Sequence, residues 1–321
     1  EEEQIESVLH NPSEVEMKEI NVPKLPFFDP FELYFEIYQD LLVKTSLKIG
    51  LDLANGATYE IAKNIFSKIA SCLETIGDNP DGKNINKNVG STHLEALTNL
   101  VLSKNLDIGF AFDGDGDRLM VVGKDGKVYD GDLLLYVFAT YLKEKNLLKE
   151  NTLVLTKMSN LGIVKALKKK GIEVLLTDVG DKYVLEALET KGLSLGGENS
   201  GHIINLNLLN TGDGVLNAIF LIKILEESQK SIEELTAKVW MYPDRTYNLK
   251  NVDKSLAYDY AVLSKVEEYR DLLGNDGKIL VRPSGTEPVI RITVSAPSQA
   301  EVDAIVEEIV KVIMEQRFKG G

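Results

Sequence analysis

The sequence predicts an α/β protein in which two consecutive α/β domains are followed by a smaller α+β C-terminal domain. Three observations lead there. Short apolar runs bounded by glycine alternate with segments of helical spacing, which is the pattern of parallel βαβ units. That pattern starts once near residue 47 and again at "TLVLT" from residue 152. Near the C-terminus it gives way to two strands around a Pro/Gly-rich turn and a final amphipathic helix from Gln299.

In chain order, "LKIGLDL" reads as a buried strand, "ATYEIAKNIFSKIA" and "THLEALTNLVLS" as helices, and "DIGFAF" as a second strand. "LMVVGKDGKVYDG" is strand, turn, strand, with Asp125-Gly126 as the hairpin turn, and "DLLLYVFATYLKEK" is a helix expected to close the unit. The second layer follows as strand "TLVLT", helix "LGIVKALKKKG", strand "IEVLLTDVG" and helix "KYVLEALETKG". "GDGVLNAIFLIKILEES" and "SIEELTAKVW" are helical, "MYPDRTYNLKNV" reads as a linker, and "KILVRPSGTEPVIRITVSA" supplies the last two strands. The boundaries expected are 32–146, 147–242 and 243–321, preceded by residues 1–31 as the tail of a first domain and its linker.

Composition narrows the function. At 321 residues the chain exceeds one ordinary core, and 44% hydrophobic with 27% charged residues is the balance of a folded protein. A net charge of -14 opposes a general nucleic-acid or anionic-membrane surface, while leaving room for a small phosphorylated ligand held by local cations. The lone Cys72 excludes an internal disulfide framework and fits a reducing cytoplasm. The start "EEEQIE" has neither the basic nor the apolar region of a signal peptide, and no apolar run is long enough to span a bilayer.

Four loops carry chemistry. In "FDGDGDR", Asp113, Asp115 and Asp117 stand at alternate positions between apolar strands. Three clustered carboxylates repel one another unless a cation neutralises them, and hard oxygen ligands suit Mg²⁺ or Ca²⁺. A calcium EF-hand loop counted from Asp113 needs Gly at its sixth position and Glu at its twelfth, and meets Arg118 and Lys124. A haloacid-dehalogenase-like phosphatase loop meets Asp117 where Thr or Val is usual. Mg²⁺ with a phosphate ligand is therefore preferred. In "RPSGTEPVIR", Arg282 and Arg291 bracket Ser284, Gly285 and Thr286, a set of forked cations, hydroxyls and backbone amides that matches a dianionic phosphate. "GGENSGH", with Glu198, Asn199, Ser200 and His202, suits sugar hydroxyls about as well as it suits a plain polar hairpin. In "VGDKYV", Asp181 either meets a ligand or simply caps the following helix.

These loops, in this order and at these separations, resemble the α-D-phosphohexomutase superfamily. "GSTHLEAL", "TKMSNLG", "VGDKYVLEAL" and "NTGDGVLNAI" are more similar to its bacterial phosphoglucosamine mutase branch than to its phosphomannomutase or phosphoglucomutase branches. The resemblance runs from about residue 47 almost to the C-terminus. It implies α/β domains of the phosphohexomutase type, with Asp113, Asp115 and Asp117 on Mg²⁺ and Arg118 beside the reacting phosphoryl group. It further implies Glu198 and Ser200 on the sugar with His202 and Asp181 close by, and Arg282, Ser284, Gly285, Thr286 and Arg291 on the phosphate that is not transferred. The reaction implied interconverts glucosamine 6-phosphate and glucosamine 1-phosphate through a phosphoserine and a bisphosphate, on the route to amino-sugar nucleotides and cell-wall precursors. A hexose 1,6-bisphosphate is the implied activator, and a sugar phosphate the implied partner, with a homodimer left open.

The family's nucleophile belongs to a Ser-His-Asn-Pro loop in its first domain. Here "SVLHNPSE" has Leu9 at the serine position and reads as a helix end stopped by Asn11-Pro12. This chain by itself is therefore expected to be inactive as a mutase. The other readings are a mannose or glucose hexomutase and a non-catalytic sugar-phosphate-binding protein. For Lys157 and His93, which sit in family-like motifs, a structural role is the expectation.

Overall fold

The computed structural model describes residues 7–9, 30–284 and 287–319. The chain divides into two compact units, residues 1–36 and 37–321. In the first, residues 7–9 are helical, and α1 (Pro30–Tyr38) begins there. The "HNP" at residues 10–12 lies outside the described residues. The rest of the fold concerns the second unit.

Its first layer is a five-stranded sheet of β1 (Lys48–Asp52), β2 (Cys72–Ile76), β3 (Ile108–Phe112), β4 (Leu119–Gly123) and β5 (Val128–Tyr129), in the order β2-β1-β3-β4-β5. β2, β1 and β3 are parallel, and β4 and β5 return antiparallel. All five residues of β3 are buried, which is why it reads as an unbroken apolar run and not as an alternating one. Helices α2 (Tyr59–Ile69) and α3 (Glu95–Lys104) make the crossovers. The edge strand β2 was not legible in the sequence: its pattern is exposed and half-buried throughout, with no apolar face to announce it.

α4 (Gly131–Glu144) follows, then β6 (Thr152–Thr156), α5 (Leu161–Lys169), β7 (Glu173–Thr177), α6 (Asp181–Lys191), β8 (Leu195–Gly197), β9 (Ile203–Asn205), α7 (Gly214–Ser228) and α8 (Ile232–Thr236). The second sheet runs β7-β6-β8-β9, parallel except for β9. α4 touches β5, yet it also packs on β8 and α5 of the second layer. α7, which follows the second layer in sequence, lies on β3 and β4 of the first. The expectation that α4 simply closes the first unit is corrected accordingly: the two helices cross over and share one apolar seam. Phe138 of α4 meets Phe220 of α7 edge-on at 5.0 Å, and Tyr141 meets the same ring at 5.6 Å. Both helices are apolar on nearly every side because each is covered by two layers.

The last module is a three-stranded antiparallel sheet, β10-β12-β11, with β10 at Asp244–Lys250, β11 at Lys278–Pro283 and β12 at Val289–Ser295. α9 (Tyr260–Leu273) and α10 (Gln299–Lys319) pack on it. Two differences from the sequence reading stand out. The segment read as a linker contains β10, whose residues alternate between exposed and half-buried as an edge strand does. α9 was not anticipated, since only Val262 and Val266 of its face are fully buried.

The seam between α4 and α7 sets the first prediction. Phe220→Ala removes the ring that both Phe138 and Tyr141 pack against, and should destabilise the chain by about 3–5 kcal/mol in equilibrium denaturation.

Candidate active site

β3 and β4 are joined by residues 113–118, so the acidic loop is the turn of an antiparallel hairpin at the C-terminal ends of the parallel strands. Open α/β sheets bind ligands at that edge. One ligand atom from each of Asp113, Asp115 and Asp117 lies within 4.8 Å of the others, a grouping that could hold a metal ion. Gly116, at φ +83°, gives the backbone a left-handed step that a side chain would strain. The loop is pinned from both sides. The Arg118 N–H donates to Asp113 Oδ1 at 3.1 Å, and the Gly214 N–H at the start of α7 donates to Gly116 O at 2.8 Å. A Cβ on Gly214 would sit 2.3 Å from Arg118 O, so the motif "GDG" is needed for the helix to reach the loop.

Burial raises the Asp113 carboxyl above the usual carboxylate range, and the neighbouring Asp117 adds to the effect. A raised Asp113 carboxyl gathered with two more acids is chemically matched to a divalent cation, which would remove the repulsion. Arg118 Nε stands 3.6 Å from Asp113 and 3.8 Å from Asp117, close enough for charge attraction but too long for hydrogen bonds. Its side chain is 42% exposed and can reach toward a ligand.

The loop "GGENSGH" joins this site directly. Arg118 and His202 form an isolated antiparallel bridge, and the Leu119 N–H donates to Gly201 O at 3.0 Å. His202, nearly buried, holds Nε2 at 3.4 Å from Asp117 Oδ2. Its Nδ1 and the Ser200 hydroxyl are buried without a hydrogen-bond partner among the described residues. Glu198 accepts the Gly180 N–H at 2.9 Å, which brings "GGENSGH" and "VGDKYV" together at the C-terminal edge of the second sheet. "GGENSGH" is thus both a hairpin between β8 and β9 and part of the site. Asp181 does not cap α6: Gly180 holds that position, and Asp181 is the exposed first residue of the helix. Lys157 pairs with Asp178 at 2.6 Å, both exposed, and the His93 ring lies 3.1 Å from the Thr92 hydroxyl. Asp52, absent from the sequence candidates, is fully buried at the end of β1 and accepts the Ala54 and Gly90 N–H groups, shaping the loops beside the acidic turn.

The paired arginines are carried by the last sheet. Arg282 and Arg291 stand directly opposite each other on β11 and β12, a like-charged cross-strand pair that is unfavourable unless an anion lies between them. Arg291 is steadied by Asn248 at 3.0 Å and by Glu287 at 3.0 Å. Lys254 donates to Ser284 O at 2.8 Å and brings a third cation that the sequence reading missed, because it precedes α9 in the stretch left unassigned. Gly285 and Thr286 lie outside the described residues. The structure joins the metal and sugar loops; among the described residues no hydrogen bond or ion pair links Arg282, Ser284 or Arg291 to either.

Comparison with known proteins follows this division. Three family models match, the phosphoglucomutase/phosphomannomutase α/β/α domain II over residues 29–126, domain III over 130–242 and the C-terminal domain over 244–312. The phosphoglucosamine mutase of Streptococcus gordonii is 46% identical over 284 residues, covering 86% of this chain and 63% of that protein. That of Streptococcus pneumoniae serotype 19F is 45% identical over the same shares. The chain therefore spans less than two thirds of the curated relatives it matches. Among solved structures, a phosphoglucomutase/phosphomannomutase family protein from Burkholderia thailandensis superposes with a TM-score of 0.72 at 24% identity, over 89% of this chain and 64% of that one. The N-acetylphosphoglucosamine mutase of Aspergillus fumigatus, solved with GlcNAc-6P and magnesium, gives 0.69 at 17%, over 88% and 69%. Both share the fold.

Titration calorimetry with Mg²⁺ tests the acidic loop. Asp115→Asn, an exposed change that leaves the hairpin's hydrogen bonds in place, should weaken binding at least about tenfold.

Proposed function

Because the chain belongs to the phosphoglucomutase/phosphomannomutase family, we propose that it is the metal-, sugar- and phosphate-binding part of a phosphoglucosamine mutase. The observation that carries this reading is the bridge between Arg118 and His202, which fastens the acidic loop to the sugar loop. In such a site one end of a sugar phosphate lies beside the place where a phosphoryl group is handed over.

Asp113, Asp115 and Asp117 would hold Mg²⁺, which when bound neutralises charge on the phosphoryl group in transfer. Arg118 orients that group from the side of the triad. Glu198 and Ser200 hold the sugar hydroxyls, with His202 and Asp181 near them. Arg282, Ser284, Gly285, Thr286 and Arg291 grip the phosphate that stays behind, aided by Lys254. The phosphoryl group passes from a phosphoserine to the free sugar hydroxyl, and the serine takes back the other phosphate after the bisphosphate turns over. Positioning and charge compensation supply most of the acceleration in transfers of this kind. A hexose 1,6-bisphosphate would reload the serine. These residues hold no Ser-His-Asn-Pro sequence, so the donor must come from a segment beyond them. The lone cysteine fits a cytoplasmic setting.

A protein joining these residues to a Ser-His-Asn-Pro segment should convert glucosamine 6-phosphate faster than the mannose or glucose phosphates. This chain alone, given Mg²⁺ and glucose 1,6-bisphosphate, should show no turnover. Arg118→Ala in the active protein should lower kcat by about 10²-fold or more. Equal rates on all three sugars would favour a general hexomutase, and no turnover on any would favour a binding protein.

A further inference from the structure

Two loops reach the acidic turn, one from the end of β1 and one from the segment before α3, and each gives it an N–H. The Ala57 N–H donates to Gly114 O at 2.8 Å, and the Ser91 N–H donates to Phe112 O at 2.8 Å. Phe112 and Gly114 flank Asp113, so these bonds fix the backbone on both sides of the least exposed of the three acids. One side chain joins the two loops. Asp52, the last residue of β1 and fully buried, accepts the Ala54 N–H on Oδ1 at 3.0 Å and the Gly90 N–H on Oδ2 at 2.7 Å. Ala54 is separated from Ala57 by a tight turn, closed by the Gly56 N–H on Leu53 O at 2.8 Å, and Gly90 is next to Ser91.

We infer that Asp52 is a positioning residue for the acidic turn: with one carboxylate oxygen for each loop it holds the carbonyls on both sides of Asp113, and so sets how tightly the three acids take a divalent cation.

The loops need that support. Ala54 and Asn55 stand in the left-handed region at φ +53° and +49°, which is unfavourable for residues that carry a Cβ. In the second loop Asn86 and Asn88 are left-handed as well, at φ +56° and +58°. The Asn86 N–H donates to Ala54 O at 2.8 Å, so a shift of one loop is felt by the other. There is also no slack between loops and turn. A Cβ on Gly56 would sit 2.3 Å from Gly114 O, and one on Gly90 would sit 2.9 Å from the Ala54 Cβ and 3.0 Å from Phe112 O. Burial raises the Asp52 carboxyl, and the Gly90 and Ala54 N–H groups, then the charge of His93, oppose that rise. Loss of either acceptor oxygen leaves a buried N–H unpaired beside left-handed backbone, and the loop gives way at its bond to the acidic turn. Mg²⁺ demands near-ideal ligand geometry, so play at Phe112 and Gly114 reaches the ion through Asp113. That last step rests on the Mg²⁺ reading of the three acids; the hold of Asp52 on the turn does not.

Amide hydrogen exchange on this chain, taken relative to the amides of β3, reads the two arms separately. Asp52→Asn keeps one acceptor, and should speed exchange at one of Ala57 and Ser91 only. Asp52→Ala should speed both. Ile69→Ala, a buried change at the far end of α2, lowers stability away from the loops and should leave both relative rates as they were. In titration calorimetry the Mg²⁺ affinity should fall at least about tenfold in Asp52→Asn and further in Asp52→Ala. It should be unchanged in Ile69→Ala, which separates positioning from a general loss of stability. The unaltered chain supplies a measurement free of any variant: by reciprocity Mg²⁺ should slow exchange at Ala54 and Gly90, which bond to Asp52 and not to the acids. Unchanged exchange at Ala57 and Ser91 in Asp52→Ala overturns the inference, as does a Mg²⁺ affinity that survives Asp52→Ala while Asp115→Asn loses it. If the unaltered chain binds no Mg²⁺, the metal reading fails and the exchange rates alone decide the role of Asp52.

Discussion

Three carboxylates within 4.8 Å of one another repel, and much of the surrounding architecture works to keep them there. The hairpin between β3 and β4 supplies a short, rigid turn, closed by the Arg118 N–H on Asp113. α7, which follows the second layer in sequence, anchors the loop through Gly214 and Gly116. The sugar loop adds a third tether at Gly201. None of these contacts neutralises the acids. They hold the backbone, with Arg118 as a partial counterweight to the charge.

That constraint also explains the crossed helices. A helix that both rests on the first sheet and belongs in sequence to the second layer ties the two together, so the acidic loop and the sugar loop keep a fixed relation. The Phe138, Tyr141 and Phe220 cluster is the apolar counterpart of the tethers at the loop. The last sheet is attached differently. Its connection to the second layer passes through polar groups, Asn160 on Tyr242 and Lys278 on Lys157, over a cavity instead of a packed seam. Polar contacts over a cavity yield more readily than packed aromatic rings. The pair of loops at the first two sheets is thus held more rigidly than the cationic turn of the last sheet.

Much of the site was legible because its chemistry is local in sequence. Asp113, Asp115 and Asp117, the Arg282 to Arg291 turn and the Glu198 to His202 loop each fall within ten residues, and loops of that length carry their own geometry through glycine and proline. Lys254 and Asn248 were missed because they reach the phosphate loop from β10 and the turn before α9, where exposed and half-buried residues give no periodic signal. β2 and β10 were lost for the same reason: edge strands lack a fully apolar face.

The sequence by itself determined the alternation of strand and helix, the loops and the chemistry each can perform, since these depend on neighbours a few residues apart. The tertiary structure alone decided that α4 and α7 exchange layers, that His202 faces Asp117 and that Asn160 holds Tyr242. Those pairings join residues separated by about 80 positions or more, and no local pattern records them. They follow from apolar faces that must be covered and backbone groups that must be satisfied once the layers stack.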